Sequence, residues 1–156
     1  MSKFYVSTPI YYVNDKPHIG HTYSTVAADI LARYHRMLGK EVMFLTGTDE
    51  NSQKGVDAAK AAGKETQEYI DEMAARWQQT FDSLGFTNND FIRTTEDRHI
   101  AAATKFFKKV YDNGDIYEGE YKGLYCTGCE AFLQESDLED DKCPHHKKEP
   151  EQIKEK

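Results

Sequence analysis

Residues 7–21, Ser7-Thr8-Pro9-Ile10-Tyr11-Tyr12-Val13-Asn14-Asp15-Lys16-Pro17-His18-Ile19-Gly20-His21, constrain the fold of this chain more than any other stretch. The apolar run Phe4 to Val6 reads as a strand, and Pro9, Asn14-Asp15 and Pro17 punctuate a loop after it. Proline fixes φ and pushes the preceding residue out of the α region, so Pro17 ends the loop and a helix opens at about Ile19. His18 and His21 then flank the unpaired N–H groups of a helix N-terminus, which carries partial positive charge and suits phosphate. Two neutral imidazoles add donors there without fixed charge, as suits a site where negative charge grows during reaction. Gly20 removes a side chain where a ligand would approach the backbone.

The helix runs to about Leu38, with Val26, Ile30, Leu31, Tyr34 and Leu38 forming its apolar face and Gly39 stopping it. Val42-Met43-Phe44-Leu45 is a continuous apolar run, as expected of a parallel strand buried on both faces. Strand, helix, strand makes one crossover unit. An alanine-rich helix follows from Ser52 to Ala62, and a second, capped by Thr66, carries Ile70, Met73, Trp77, Phe81 and Leu84. Phe91-Ile92-Arg93 is a short strand; Thr94 or Thr95 caps the helix beyond it. Trp77, Phe106 and Phe107 are assigned to core. The fold class is α/β, half of a Rossmann-like doubly wound parallel sheet over residues 1–115. Ligands bind such sheets beyond the carboxyl ends of the strands, so the loops at 7–18 and 46–51 are expected to face one crevice. Asp49 stands at such an end, where it could accept hydrogen bonds from a substrate ammonium or cap the next helix.

From Ile116 the character changes. Ile116-Tyr117 and Tyr121 to Tyr125 read as a small antiparallel hairpin, and residues 116–156 as a small inserted subdomain with a charged tail that buries little. Cys126-x-x-Cys129, thirteen residues (130–142), and Cys143-x-x-His146 supply four nitrogen and sulfur ligands, the spacing of a closed structural zinc site. His145 is a rival fourth ligand, and free thiols are the plain alternative.

Three cysteines in a chain without a signal-peptide pattern favour metal over disulfides. No apolar run approaches the ~20 residues of a membrane span, and a cytoplasmic location is expected. The net charge of −7 leaves no basic stripe for nucleic acid. Lys105, Lys108 and Lys109 read as a solvated helix face. This segment is therefore expected to handle small molecules.

The stretch His18-Ile19-Gly20-His21 resembles the signature of class I aminoacyl-tRNA synthetases. With Ser7 to Asn14 and Thr46-Gly47-Thr48-Asp49-Glu50, the chain is similar to the methionine-specific branch, over the first part of those enzymes. The resemblance implies activation of methionine by ATP, with Mg2+, to methionyl-adenylate, then transfer to tRNA. It places His18, Gly20 and His21 on ATP, with His18 and His21 catalytic. Pro9, Ile10, Tyr12 and Asp49 fall on methionine, and Cys126, Cys129, Cys143 and His146 on a single zinc knuckle of the connective insertion. Where the family has His-Gly after the acidic pair this chain has Asn51-Ser52, residues good at capping.

The second class I signature, Lys-Met-Ser-Lys-Ser, is absent. The chain is thus expected to be an amino-terminal fragment that needs a carboxy-terminal remainder for activity, with tRNA anchored mainly outside it. Two other functions stay open. One is a class I synthetase for another apolar amino acid or cysteine. The other is a non-catalytic module that binds a nucleotide or a partner.

Overall fold

The computed structural model describes residues 2–155. Strand β1 (Lys3–Ser7) leads through a two-residue strand, β2 (Tyr11–Tyr12), into helix α1 (Ile19–Met37). Strand β3 (Glu41–Asp49) is followed by helices α2 (Gln53–Ala61) and α3 (Thr66–Ser83), then strand β4 (Asp90–Arg93) and helix α4 (Asp97–Asp112). All pairings in this sheet are parallel and all involve β3. Leu45 pairs with both Ser7 and Asp90, and Thr48 with both Tyr11 and Arg93. A strand has only two flanks, so β1 and β2 share one edge of β3 and β4 takes the other. Glycines 39, 63, 85 and 114 follow the four helices with positive φ, the conformation that ends a helix.

The period-2 pattern of β3 sets the core. Phe44, Thr46 and Thr48 are fully buried on one face. Ala28 and Ala32 of α1 pack on Phe44, with Val6 and Val42 beside them. A second cluster joins Tyr11, Val13 and Phe91 to Ile70, Met73, Ala74, Trp77 and Phe81 of α3. The opposite face is more open: Met43 is 40% and its pair partner Tyr5 60% exposed. The expectation that residues 42–45 are buried on both faces is therefore corrected, because the two helices seat on the same face.

Helix α1 is corrected likewise. Val26, Ile30, Leu31, Tyr34 and Leu38 are exposed, and Thr25, Ala28, Asp29 and Ala32 are buried. Small residues let the helix approach the sheet closely, and the polar ones find partners. Asp29 accepts from the Thr87 backbone N–H at 2.7 Å and from Arg33 Nε at 2.6 Å, while the Thr25 hydroxyl donates to the His21 carbonyl. Burial works to raise the Asp29 carboxyl, but these bonds from Thr87 and Arg33 outweigh it and hold it below the usual carboxylate range.

Caps differ in detail. Thr66 is the first residue of α3, whose N-cap is Glu65 without a side-chain bond. Thr94 and Thr95 turn their hydroxyls to Glu50. Leu84, Phe106 and Phe107 are exposed, and α4 has no buried residue among those described.

The chain divides into two compact units between Ala103 and Thr104. In the second, β5 (Tyr121–Cys126) pairs antiparallel with β6 (Ala131–Leu133) on one side and β7 (Glu151–Glu155) on the other. Ile116-Tyr117 form no strand, so the hairpin is 121–126 with 131–133. The charged tail contributes the third strand, held by backbone pairing across Tyr121 to Tyr125 rather than by apolar side chains. No helix among the described residues is long and apolar enough to cross a membrane.

Candidate functional site

Helix α1 opens with a capping box made of two imidazoles. His18 takes extended backbone as N-cap, and its Nδ1 accepts the Gly20 N–H at 3.1 Å. Nδ1 of His21 in turn accepts the His18 N–H at 3.2 Å. Serine and glutamate usually play these parts. The rings stack with centroids 3.6 Å apart. A Cβ on Gly20 would lie 3.0 Å from the His18 ring, so glycine here admits the imidazole as well as any ligand. Because both Nδ1 atoms accept, each neutral ring carries its proton on Nε2. Burial, then the neighbouring His18, push the His21 pKa below its ordinary value, which favours the neutral form.

The loop before the cap is fastened from two sides. Tyr69 Oη donates to the Asn14 carbonyl and Trp77 Nε1 to the Asp15 carbonyl, both from α3. On the other side the Tyr11 hydroxyl meets Ser24 Oγ at 2.8 Å and Thr25 Oγ1 at 3.0 Å. The buried hydroxyls of Thr8 and Thr46, 2.7 Å apart, tie β1 to β3. Ile10, Tyr12, His18 and His21 line a crevice of about 330 Å³ with Tyr11, Asn14, Asp15 and Lys16.

Asp49 and Glu50 part company at the end of β3. Asp49, half-buried, sits beside Tyr12 in the strand register and accepts the Asn51 N–H at 3.1 Å. The Glu50 side chain is fully buried. It accepts from Thr48 at 2.7 Å, from Arg93 Nε at 2.7 Å and Nη2 at 2.9 Å, and from Thr95. Donating to Glu50 raises the Arg93 pKa further above its already high value. Glu50 is thereby committed to structure, while Asp49 spends one oxygen, Oδ1, on the Asn51 N–H. Ser52, not Asp49, caps α2, accepting the Gly55 N–H at 3.2 Å.

In the second unit Cys126, Cys129, Cys143 and His146 bring their ligand atoms within 4.8 Å of one another. The Cys129 and Cys143 sulfurs are 3.5 Å apart, too far for the ~2.05 Å of a disulfide. His146 Nδ1 lies 3.3 Å from Cys129, 3.7 Å from Cys143 and 3.8 Å from Cys126. A tetrahedron with metal–sulfur bonds of ~2.3 Å has edges of about 3.8 Å, so the residues fit zinc. A Cβ on Gly128 would lie 2.5 Å from the His146 ring, so this glycine makes room for the fourth ligand. Each ligand pair is followed by a left-handed residue, Glu130 and Lys147. Burial works to raise the Cys143 thiol, but hydrogen bonds from His146 and its neighbours lower it to about 6, while the bond with Cys143 and then burial push the Cys129 thiol up to about 11.

Residues 4–155 match the family of class I tRNA synthetases (M). The chain belongs to that family. Two curated relatives, the methionine–tRNA ligases of Thermotoga maritima and Clostridium tetani, are 49% and 50% identical over 94% and 97% of this chain. The chain spans 24% of the length of each. The solved structure of Mycobacterium tuberculosis methionyl-tRNA synthetase in complex with methionyl-adenylate matches 99% of this chain and covers 31% of that one. It does so with a TM-score of 0.93 at 34% identity.

In this member of the family, the structure joins His18, Gly20 and His21 in one cap, and Ile10 and Tyr12 line the same crevice. Pro9 is exposed at the turn between β1 and β2, and Asp49 lies one strand over. The three cysteines meet His146, and His145 stays outside the cluster. Sequence reasoning missed Tyr11, Tyr69, Trp77, Glu50 and Arg93. Tyr11 and Trp77 carried an apolar signal only, and Glu50 and Arg93 stand 43 residues apart.

Proposed function

We propose that this chain is the amino-terminal part of the catalytic region of a methionine–tRNA ligase, activating methionine with ATP and transferring it to tRNA(Met). The observation that carries the reading is the paired-imidazole helix cap sharing a crevice with Ile10 and Tyr12, in a chain half identical to methionine–tRNA ligases. Amino-acid activation joins a carboxylate oxygen to the α-phosphorus of ATP, and the bond to pyrophosphate breaks. The carboxylate is already ionised, so no general base is required. The barrier falls by positioning and by stabilising charge on the phosphate oxygens.

In this reading the Nε2–H groups of His18 and His21, with the α1 N-terminus behind them, donate to those oxygens. Gly20 keeps the backbone open to ATP, which enters with Mg2+. Asp49 accepts the methionine ammonium through its carboxylate. Pro9, Ile10 and Tyr12 shape the thioether pocket, where one methylene is worth ~1–3 kcal/mol of discrimination. Cys126, Cys129, Cys143 and His146 hold zinc, which crosslinks a unit with few buried apolar residues. Residues 1–115 form half of a doubly wound catalytic sheet and 116–156 belong to the connective insertion. The remainder of the longer protein supplies the other half and most tRNA contacts, in the cytoplasm.

The test is ATP–pyrophosphate exchange in the longer protein containing this chain. Exchange should depend on methionine. Exchange with leucine, isoleucine or cysteine in its place, or with no amino acid, would refute the reading.

A further inference from the structure

Trp77, the one tryptophan of the chain, is fully buried in the core of the first unit, yet it also reaches the α1 cap twice. Its ring stands 4.6 Å from that of His21, tilted by 56°. Its indole N–H donates to the Asp15 carbonyl at 3.1 Å, three residues before His18. Tyr11 stacks on the same indole, 5.0 Å away at 18°, and lies 5.0 Å from His21. His21 therefore rests against two aromatic rings, one fastened to the loop and the other to α1 through Ser24 and Thr25. Filling the core calls only for an apolar side chain at position 77. The indole N–H aimed at the loop and the ring against the imidazole call for more.

We propose that Trp77 is a positioning residue for His21, holding the imidazole so that Nδ1 faces the His18 N–H and Nε2 keeps the proton toward the crevice. A side chain without the N–H releases the Asp15 carbonyl, and the loop that carries the His18 N–H shifts with it. A smaller ring also leaves the imidazole room to turn about χ2, a broad torsion held in place by its neighbours. Either change breaks the bond that selects the tautomer. The catalytic consequence rests on the function proposed above; the tautomer does not.

The experiment is long-range proton–nitrogen NMR of the histidine-labelled chain, comparing the unaltered protein with Trp77→Phe and with Met73→Leu, a substitution in the same core cluster. The unaltered chain and Met73→Leu should show His21 with its proton on Nε2 alone. Trp77→Phe should show both tautomers in exchange. In the longer protein it should lower the rate of adenylate formation by up to about 10²-fold with KM for ATP unchanged, the cost of a reacting group displaced by an ångström. A folded Trp77→Phe that keeps the pure Nε2–H pattern overturns the proposal, as does equal loss of that pattern in Met73→Leu.

Should Trp77→Phe fail to fold, the unaltered chain provides a second measurement. The indole N–H of Trp77 should resist hydrogen exchange as strongly as the core amides of α3, and exchange at the rate of a free indole overturns the proposal. The tautomer readout needs no substrate, so it fails or succeeds separately from methionine activation.

Discussion

The backbone N–H of His18 is bonded to Nδ1 of His21 at 3.2 Å, under rings stacked 3.6 Å apart, so the helix cap and the donor tautomer are set by one interaction. A cation at His21 would have a proton on Nδ1 and would lose that bond. Burial, then His18, lower the His21 pKa from its ordinary 6.5. For a base with a depressed folded pKa, the unfolded chain binds more protons between the folded value and 6.5. The stabilisation is therefore complete above 6.5 and is lost as pH falls through the folded value. NMR titration should find His21 neutral at pH values where a free histidine is charged.

The zinc assignment predicts about one zinc per chain by metal analysis. Cys129→Ser should lose it and loosen β5, β6 and β7, with the helices of the first unit intact by circular dichroism. Full zinc content in that variant would contradict the ligand set.

Helix α1 offers a test of which face is buried. Ala32 is fully buried against Phe44 and Val42, so Ala32→Leu should overpack the contact and cost about 1–3 kcal/mol. Leu31 is 46% exposed, and Leu31→Lys should stay within about 0.5 kcal/mol of the parent chain. Urea unfolding followed by Trp77 fluorescence measures both.

Removing Arg93 strands the Glu50 carboxylate, whose side chain has no exposure. Arg93→Ala should cost roughly 3–5 kcal/mol in the same unfolding assay, the range for a buried ion pair broken from one side. The β3–β4 strand ends should open first, seen as faster amide exchange at Glu50, whose N–H bonds to Thr94.

How much of this was legible in the sequence depended on the range of each interaction. The strand–loop–helix at 4–37 and the cysteine–histidine spacing are local signals, and the structure carries both. The apolar stripe of α1 misled because a 3.6-residue period marks an amphipathic helix without saying which face meets the sheet. Asp29 is buried because Thr87 bonds it from 58 residues away. Strand β7, Glu151-Gln152-Ile153-Lys154-Glu155, has one apolar residue and is held by backbone bonds to β5, which leave no trace in side-chain pattern. An imidazole capping box lay outside the serine and glutamate pattern by which caps are read.

In the proposed reaction His21 acts on the charge that develops during activation and Asp49 on a charge present throughout. Pre-steady-state formation of methionyl-adenylate by the longer protein tests it most directly, with His21→Ala and Asp49→Asn beside the unaltered enzyme. His21→Ala should lower the rate constant by about 10²–10³-fold, the cost of one lost transition-state donor, with ATP affinity little changed. Asp49→Asn should chiefly weaken methionine binding, because the ammonium is charged in both ground and transition states. Equal losses of rate and ATP affinity for His21→Ala, or unchanged methionine affinity for Asp49→Asn, would contradict the account.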